Sequence, residues 1–373
     1  MLTVLSVIGT RPEAIKMAPV VKELGKYPDL ITSHVCVTAQ HRSMLDQVLR
    51  LFELKPDYDL NIMQNGQTLS YITARMLTEL DVIIRASKPD WMLVQGDTTT
   101  AMSASLAAFY HRVRIGHIEA GLRTWEKFSP YPEEINRKIV DGLSDLHFAP
   151  TEQAKQNLLR EGTPQAGIVV TGNTVIDALL DIAGKPFCFQ GSPLEAIPWE
   201  NRSIILLTAH RRENFGRPLA EICAAVRYLA ERYASSVYIV YPVHLNPHIQ
   251  EPVRSLLDGL PNVLLTEPLD YLSLVHLMKR SFLILTDSGG LQEEAPSLGK
   301  PVLVVREVTE RPEAVEAGTA RVVGIQREAI IEGAVRLIEN ASEYQRMAQA
   351  ANPYGDGKAS QRIVARILQE SQR

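Results

Sequence analysis

Ser288, Gly289 and Gly290 follow directly on an apolar, β-branched run, Phe282 to Thr286, with Asp287 opening the turn. Helix-forming residues come next, Leu291 to Leu298, and Gly299 is their stop signal. A buried strand that turns through Ser-Gly-Gly into a helix suits a phosphate, because glycine lets backbone N–H groups approach and the helix dipole adds partial positive charge. Glu293 and Glu294, one turn into that helix, either accept hydrogen bonds from ribose hydroxyls or simply complement the dipole. Arg11 and Lys16 sit at the start of another expected helix, where Pro12 fits the first helical position. Two cations there oppose the dipole, so a bound anion is the simplest compensation; Lys16 alone reads equally well as part of a solvated face.

Carboxylates recur in the same kind of place. Asp97 follows the run Trp91–Val94, and Glu119 follows Arg114–Ile115, each at the carboxyl end of an expected parallel strand, where open α/β sheets keep their ligands. Glu133 and Glu134 come just after Pro130-Tyr131-Pro132. Several acidic groups around one site can be tuned apart by their neighbours, which divides acid from base roles. The plainer alternatives are that Asp97 caps the next helix and that Glu133 and Glu134 fill the first turn of theirs. His210, beside Arg211 and Arg212, suits phosphate binding or proton transfer to a leaving phosphate. His244 and His248 have helical metal-ligand spacing, but Pro247 lies between them and no third ligand is evident, so no metal is expected.

The elements that must carry these residues alternate between strand and helix. Strands are expected at Thr3–Ile8, Ile31–Thr38, Trp91–Gln95, Arg114–Ile118, Leu146–Ala149 and Ile168–Val170. Helices are expected at Pro12–Lys26, Ser43–Phe52, Thr68–Ser87, Thr100–Tyr110 and Pro132–Leu143. The second half restarts in the same style, with strands at Ser203–Thr208, Val237–Tyr241, Val263–Thr266 and Val302–Val305 around helices at Leu219–Tyr233, Pro252–Leu257 and Tyr271–Lys279. This is the pattern of two doubly wound α/β domains facing a cleft, with the stretch 184–201, rich in proline and glycine, near their junction.

With 373 residues, 45% hydrophobic and 22% charged, and a net charge of −4, the chain has no general electrostatic pull toward nucleic acid or anionic membrane. No apolar segment approaches the roughly 20 residues of a membrane span, and no basic leader precedes the first strand. Cys36, Cys188 and Cys223 are scattered singly, which suits a reducing cytoplasm. Neither a G-x-G-x-x-G after the first strand nor a P-loop is present, so no nicotinamide or ATP cofactor is indicated.

Read in order, the segments GTRPEAIKMAPV, TAQHR, VQGDTTT, HIEAGLR, PEEINR, TAHRREN, YPVHLNP and TDSGGLQEEAPSLGKPVLVVRE resemble the non-hydrolysing UDP-N-acetylglucosamine 2-epimerases, from Ile8 to about Arg311. Each segment is weak alone; the ordered combination is specific. The resemblance implies the GT-B fold, with Rossmann-like domains at 1–170 and 171–355, the second binding UDP. It also implies a last helix, within 356–373 and about Ala359 to Glu370, that returns to the first domain. The implied reaction interconverts UDP-GlcNAc and UDP-ManNAc. UDP is eliminated as the C2 proton is removed, 2-acetamidoglucal stays bound, and UDP adds back with a proton delivered to the other face.

By the same resemblance Asp97, Glu119, Glu133 and His210 match the catalytic residues. Arg11, Lys16, Arg211, Ser288, Gly289, Gly290 and Glu294 match substrate and UDP contacts. A second, regulatory substrate site would use Gln40, Glu133, Arg211 and His244. Ser43 and Gly66, however, stand where substrate-activated members carry glutamine and arginine. The resemblance implies a homodimer that works without metal or nicotinamide cofactor, and the cysteine usage and charge balance above add a cytoplasmic setting with no nucleic acid or membrane partner. The competing readings are a hydrolysing relative that releases ManNAc and UDP, a GT-B glycosyltransferase, and a nucleotide-sugar sensor without turnover.

Overall fold

A computed structural model describes residues 1–38, 42–62 and 66–371, without the side chains of 42–44. In the first part of the chain β1 (Leu2–Ile8) leads to α1 (Arg11–Leu24), β2 (Ile31–Val37), α2 (Arg42–Leu51), β3 (Tyr58–Asp59), α3 (Leu69–Ser87) and β4 (Trp91–Gln95). There follow α4 (Thr99–Tyr110), β5 (Arg114–Ile118), α5 (Glu133–Leu143), β6 (Leu146–Ala149), α6 (Glu152–Arg160), β7 (Ile168–Val170) and α7 (Thr174–Gly184). The seven strands form one parallel sheet in the order β3-β2-β1-β4-β5-β6-β7. Its order reverses between β1 and β4, where Ser6 pairs with Leu93.

A second parallel sheet, ordered β10-β9-β8-β11-β12-β13, is built the same way. It uses β8 (Ser203–Thr208), α8 (Arg217–Arg232), β9 (Val237–Pro242), α9 (Pro247–Leu257), β10 (Val263–Thr266), α10 (Tyr271–Arg280) and β11 (Leu283–Thr286). It is completed by α11 (Gly289–Glu294), β12 (Val302–Val304), α12 (Pro312–Glu316), β13 (Ala320–Val322), α13 (Arg327–Glu339) and α14 (Ala341–Ala348). Here the reversal lies between β8 and β11. The last helix, α15 (Ala359–Ser371), belongs with the first sheet and packs on α1. Two compact units result: Met1–Ala178 with Tyr354–Arg373, and Leu179–Pro353.

Each unit has its own core. In the first, Leu5, Val7, Met92 and Val94 of the strands meet Met76 and Leu80 of α3 and Ala104 and Ala108 of α4. The face of α3 is set by Ile72, Met76, Leu80, Ile83 and Ile84, spaced one helical turn apart, and Thr68 caps it by accepting from Tyr71 N at 3.2 Å. In the second, Ile205, Leu207, Ile239 and Leu285 are covered by Ile222, Val226 and Leu229 of α8 and by Ile330 and Leu337 of α13. Strands buried on both faces are why the sequence shows continuous apolar runs rather than alternation. Among the described residues no helix is long and apolar enough to cross a membrane.

Several element boundaries differ from expectation, each for a local reason. The helix expected over Leu291–Leu298 starts earlier, at Gly289, and is α-helical only to Glu294; residues 295–298 form a 3-10 turn. Pro296 has no N–H for the Gln292 carbonyl and its ring crowds it, so the α-helix stops there. The helix expected from Pro252 begins at Pro247 instead, because Asn246 caps it by accepting from His248 N at 3.0 Å and Pro247 occupies the first turn. The sequence pattern announces neither α6, α7 and the elements between Arg311 and Ala359, nor the two-residue β3.

Candidate active site

In the first unit, the loop after β1 meets the loop after β4 across the sheet's reversal point. Thr10 caps α1 by accepting from Glu13 N at 3.4 Å, and Glu13 Oε2 accepts in return from Thr10 N at 2.6 Å and Gly9 N at 3.2 Å. The other oxygen, Oε1, accepts from the Thr98 hydroxyl at 2.8 Å, and Thr98 in turn caps α4 by accepting from Ala101 N at 3.0 Å. Glu13 is 1% exposed, and burial pushes its carboxyl up to about 7 against the pull of those donors. Glycine is needed at position 9 because a Cβ there would lie 2.3 Å from Thr100 Oγ1. Arg11, the first residue of α1, is half-buried and forms no ion pair among the described residues.

Asp97 does not cap α4; the adjacent Thr98 does. The Asp97 carboxylate instead pairs with Arg137 of α5, and its backbone carbonyl accepts from Asn136 Nδ2 at 3.0 Å. Arg137 also stands 3.4 Å from Glu134. Of the two glutamates that open α5, Glu134 is fully buried and fastens the preceding loop, accepting from Thr124 N and Trp125 N at 3.1 Å each. Glu133 is half-buried, and its Oε2 is a buried acceptor with no hydrogen-bond partner among the described residues.

Glu119 follows β5 in the left-handed region, at φ 66°, which is strained for a side chain with a Cβ. Its carboxylate is held by Lys16 Nζ at 2.5 and 2.7 Å, by the Gln95 amide and by Asn173 Nδ2 at 3.3 Å. Lys16 therefore neutralises Glu119 and does not form part of a solvated face. Two residues earlier, fully buried His117 spans from Asp141 Oδ1, 2.6 Å from Nδ1, to the Gly96 carbonyl, 2.8 Å from Nε2. Burial pushes the Asp141 carboxyl up, but His117 and Arg123 outweigh it and hold the group down at about 2. Asp97 and Glu119 thus follow the ends of the adjacent strands β4 and β5, and Arg137 and Asn136 tie Asp97 to α5, the helix that Glu133 opens. Sequence reasoning missed Glu13, Arg137, His117 and Asp141. A T-x-x-E capping box at Thr10–Glu13 was the available signal for the first, and helical spacing from Glu133 and Glu134 for Arg137.

In the second unit, the reversal point between β8 and β11 carries His210 and Arg211 on one side and Asp287 to Gly290 on the other. Fully buried Asp287 joins them: its Oδ2 accepts from His210 N at 2.7 Å, Arg211 N at 2.8 Å and Asn214 Nδ2 at 3.0 Å. A Cβ on Gly289 would lie 3.8 Å from guanidinium atoms of both Arg211 and Arg311, so this turn sits against two cations. Arg211 is 3.8 Å from Glu310, and Arg306 pairs with both Glu213, at 2.5 Å, and Glu310, at 3.4 Å. Burial raises the Glu310 carboxyl, but Arg211, Arg306 and Arg311 outweigh it and leave it below its usual range.

Glu293 pairs with Arg311, and Glu294 Oε1 accepts from the Tyr271 hydroxyl at 2.8 Å, so dipole complementation alone accounts for neither. With only six residues, α11 supplies little dipole; the two arginines are the stronger source of positive charge. Of the four residues suggested for a regulatory site, Gln40 lies outside the described residues and Glu133 belongs to the first unit. Arg211 and His244 belong to the second, where the His244 and His210 rings are 6.0 Å apart.

The chain is similar to known proteins over nearly its whole length. Residues 22–368 match the UDP-N-acetylglucosamine 2-epimerase family. The UDP-N-acetylglucosamine 2-epimerase of Escherichia coli (strain K12) is 55% identical over 366 residues, covering 97% of this chain and 97% of that protein. The crystal structure of UDP-GlcNAc 2-epimerase from Neisseria meningitidis, bound to UDP-GlcNAc, superposes with a TM-score of 0.88 at 52% identity, covering 99% of this chain and 100% of that one. The Methanocaldococcus jannaschii UDP-GlcNAc 2-epimerase, in complex with UDP-GlcNAc and UDP, gives a TM-score of 0.77 at 34% identity, with 99% and 100% covered. The chain belongs to the UDP-N-acetylglucosamine 2-epimerase family.

Proposed function

We propose that this protein interconverts UDP-GlcNAc and UDP-ManNAc without hydrolysis, by eliminating UDP to enzyme-bound 2-acetamidoglucal and adding it back to the same C1. The observation that carries the reading is the set of three carboxylates at the ends of β4 and β5 and the start of α5 in the first unit. The C2 proton is weakly acidic, so its removal needs a positioned base, and the reverse step needs an acid on the opposite face. Asp97 paired to Arg137, Glu119 paired to Lys16, and Glu133 with a buried oxygen unpartnered among the described residues are three carboxylates in three settings. Division of acid and base work among neighbouring carboxylates has this form. Glu133 offers the lone pair for proton abstraction, and Asp97 and Glu119 serve the opposite face.

The departing UDP carries its charge on the diphosphate. His210, Arg211 and the Ser288–Gly290 turn are assigned to it, with Arg11 as a further cation and Glu294 on the ribose. Lys16 acts through Glu119. In elimination the C2–H bond breaks toward the carboxylate while the C1–O bond electrons leave with UDP; re-addition reverses both. The protein is assigned to the cytoplasm as a homodimer with no cofactor.

A proton NMR time course of UDP-GlcNAc with the protein in D2O tests this. The expected result is UDP-ManNAc with deuterium at C2 of the sugar. Free ManNAc and UDP would instead establish the hydrolysing reaction, and an unchanged spectrum would reject epimerisation altogether.

A further inference from the structure

Asp287 is more than a clamp for its loop. Its side chain is fully buried, and Oδ2 is saturated by the three N–H donors described above. Oδ1 is buried as well, yet has no hydrogen-bond partner among the described residues. A buried anionic oxygen left without a donor is costly and rare, so it calls for a reason. The polar atom facing it is His210 Nε2, at 3.9 Å, which is ion-pair distance but too long for a hydrogen bond. The His210 side chain is 42% exposed, whereas Asp287 is fixed from three directions.

We propose that Asp287 is the positioning residue for His210: when UDP occupies the site, the His210 ring turns so that Nε2–H donates to Asp287 Oδ1, which leaves Nδ1 aimed at the diphosphate. The inference rests on the assignment of His210 to UDP. The logic is that of a carboxylate that fixes a histidine's orientation and balances its charge while the other ring nitrogen works. Elimination leaves an extra negative charge on UDP, and an imidazole held in a fixed orientation against the diphosphate can meet that charge as it develops. The backbone bonds from His210 N and Arg211 N place the carboxylate and the imidazole in one rigid turn, so little ordering remains to be done when ligand arrives. The His244 ring, 6.0 Å away, supplies no carboxylate that could substitute.

The experiment compares D287N, H210N and the double variant in the full-length protein, after C2 deuterium exchange has been measured in the wild type. Asparagine keeps the acceptor for the three N–H groups but presents an NH2 to His210. D287N should bind UDP with a Kd within about threefold of wild type while kcat falls roughly 100-fold, in the range for a misplaced acid–base group. The double variant should be no slower than H210N. Wild-type turnover by D287N, losses that multiply in the double variant, or a fall in UDP affinity that matches the fall in kcat/KM would each overturn the proposal. Should D287N fail to fold, a crystal structure of the wild-type protein with UDP decides. An Oδ1 to Nε2 distance of about 2.6–3.2 Å supports the proposal, and an unchanged separation defeats it. Absence of C2 exchange in the wild type would sink the epimerase reading instead, and the UDP complex would still report on this pair.

Discussion

Glu13 makes a pH-dependent prediction that the sign of its perturbation fixes. Its carboxyl is raised from the ordinary 4.5 to about 7, chiefly by burial. The folded chain therefore holds the proton more tightly than the unfolded chain does. The resulting stability is fully present below the unfolded value and is lost as pH rises through the folded one. At ~1.4 kcal/mol per pH unit, the displacement is worth about 3 kcal/mol. E13Q mimics the protonated acid: its carbonyl can accept from Gly9 N and Thr10 N while its amide donates to Thr98 Oγ1. Urea unfolding of wild type and E13Q, measured at steps between about pH 5 and pH 8, should show the two nearly equal at the acid end. The variant should gain on the wild type as pH rises, by up to about 3 kcal/mol at the alkaline end. A gap independent of pH would refute the reasoning. So would an E13Q that loses stability only at high pH, since that would mean the three donors hold the carboxylate charged and outweigh its burial.

Two further outcomes follow from the same geometry. E133Q should lower kcat by roughly 10²–10⁴-fold, because it removes the proposed base, while UDP affinity measured by calorimetry stays near wild type; a parallel loss of both would place Glu133 in binding instead. Asp177 caps α15, accepting from Ser360 N at 2.8 Å, Ser360 Oγ at 2.6 Å and Ala359 N at 3.2 Å. D177A leaves buried donors unpaired and should cost about 1–3 kcal/mol, read as faster proteolytic release of the C-terminal helix at unchanged sites elsewhere.

Much of the architecture was legible because both sheets are parallel and buried. Runs such as Trp91–Gln95 and Ser203–Thr208 read as strands on apolarity alone, and their alternation with helices fixes the class. What escaped was set by tertiary context. Two residues of β3 exist only as partners of Cys36 and Val37, and no pattern marks them. The carboxylates show the same limit. Asp97 at a helix start reads as a cap until the neighbouring Thr98 is seen to take that role, and only α5 packing reveals Arg137 as its partner. Lys16 and Glu119 are 103 positions apart, and nothing local in either segment shows that they meet. Conversely, the motifs placed Asp97, Glu119, Glu133, His210 and Ser288 at strand or helix ends without any contact being known, because the ends of parallel strands are where loops can hold ligands.

The two units solve one problem with the same device. Where a doubly wound sheet reverses its order, the two adjacent loops diverge, and the gap that suits a ligand also leaves backbone N–H groups without strand partners. In the first unit Glu13 reaches from α1 to Gly9, Thr10 and Thr98, bridging the loops after β1 and β4. In the second, Asp287 reaches from β11 to His210 and Arg211, bridging the loops after β11 and β8. Each carboxylate is almost fully buried, satisfies two consecutive backbone N–H groups, and stands beside residues assigned to chemistry. The difference lies in the remaining oxygen. In Glu13 it takes the Thr98 hydroxyl and is satisfied, so this residue can bear on catalysis only through the position of the loop that carries Asp97. In Asp287 it has no donor among the described residues and faces an imidazole, so that residue has an interaction still to make. A substitution that keeps both backbone bonds therefore separates the two: Gln at position 13 should leave turnover intact where Asn at position 287 does not.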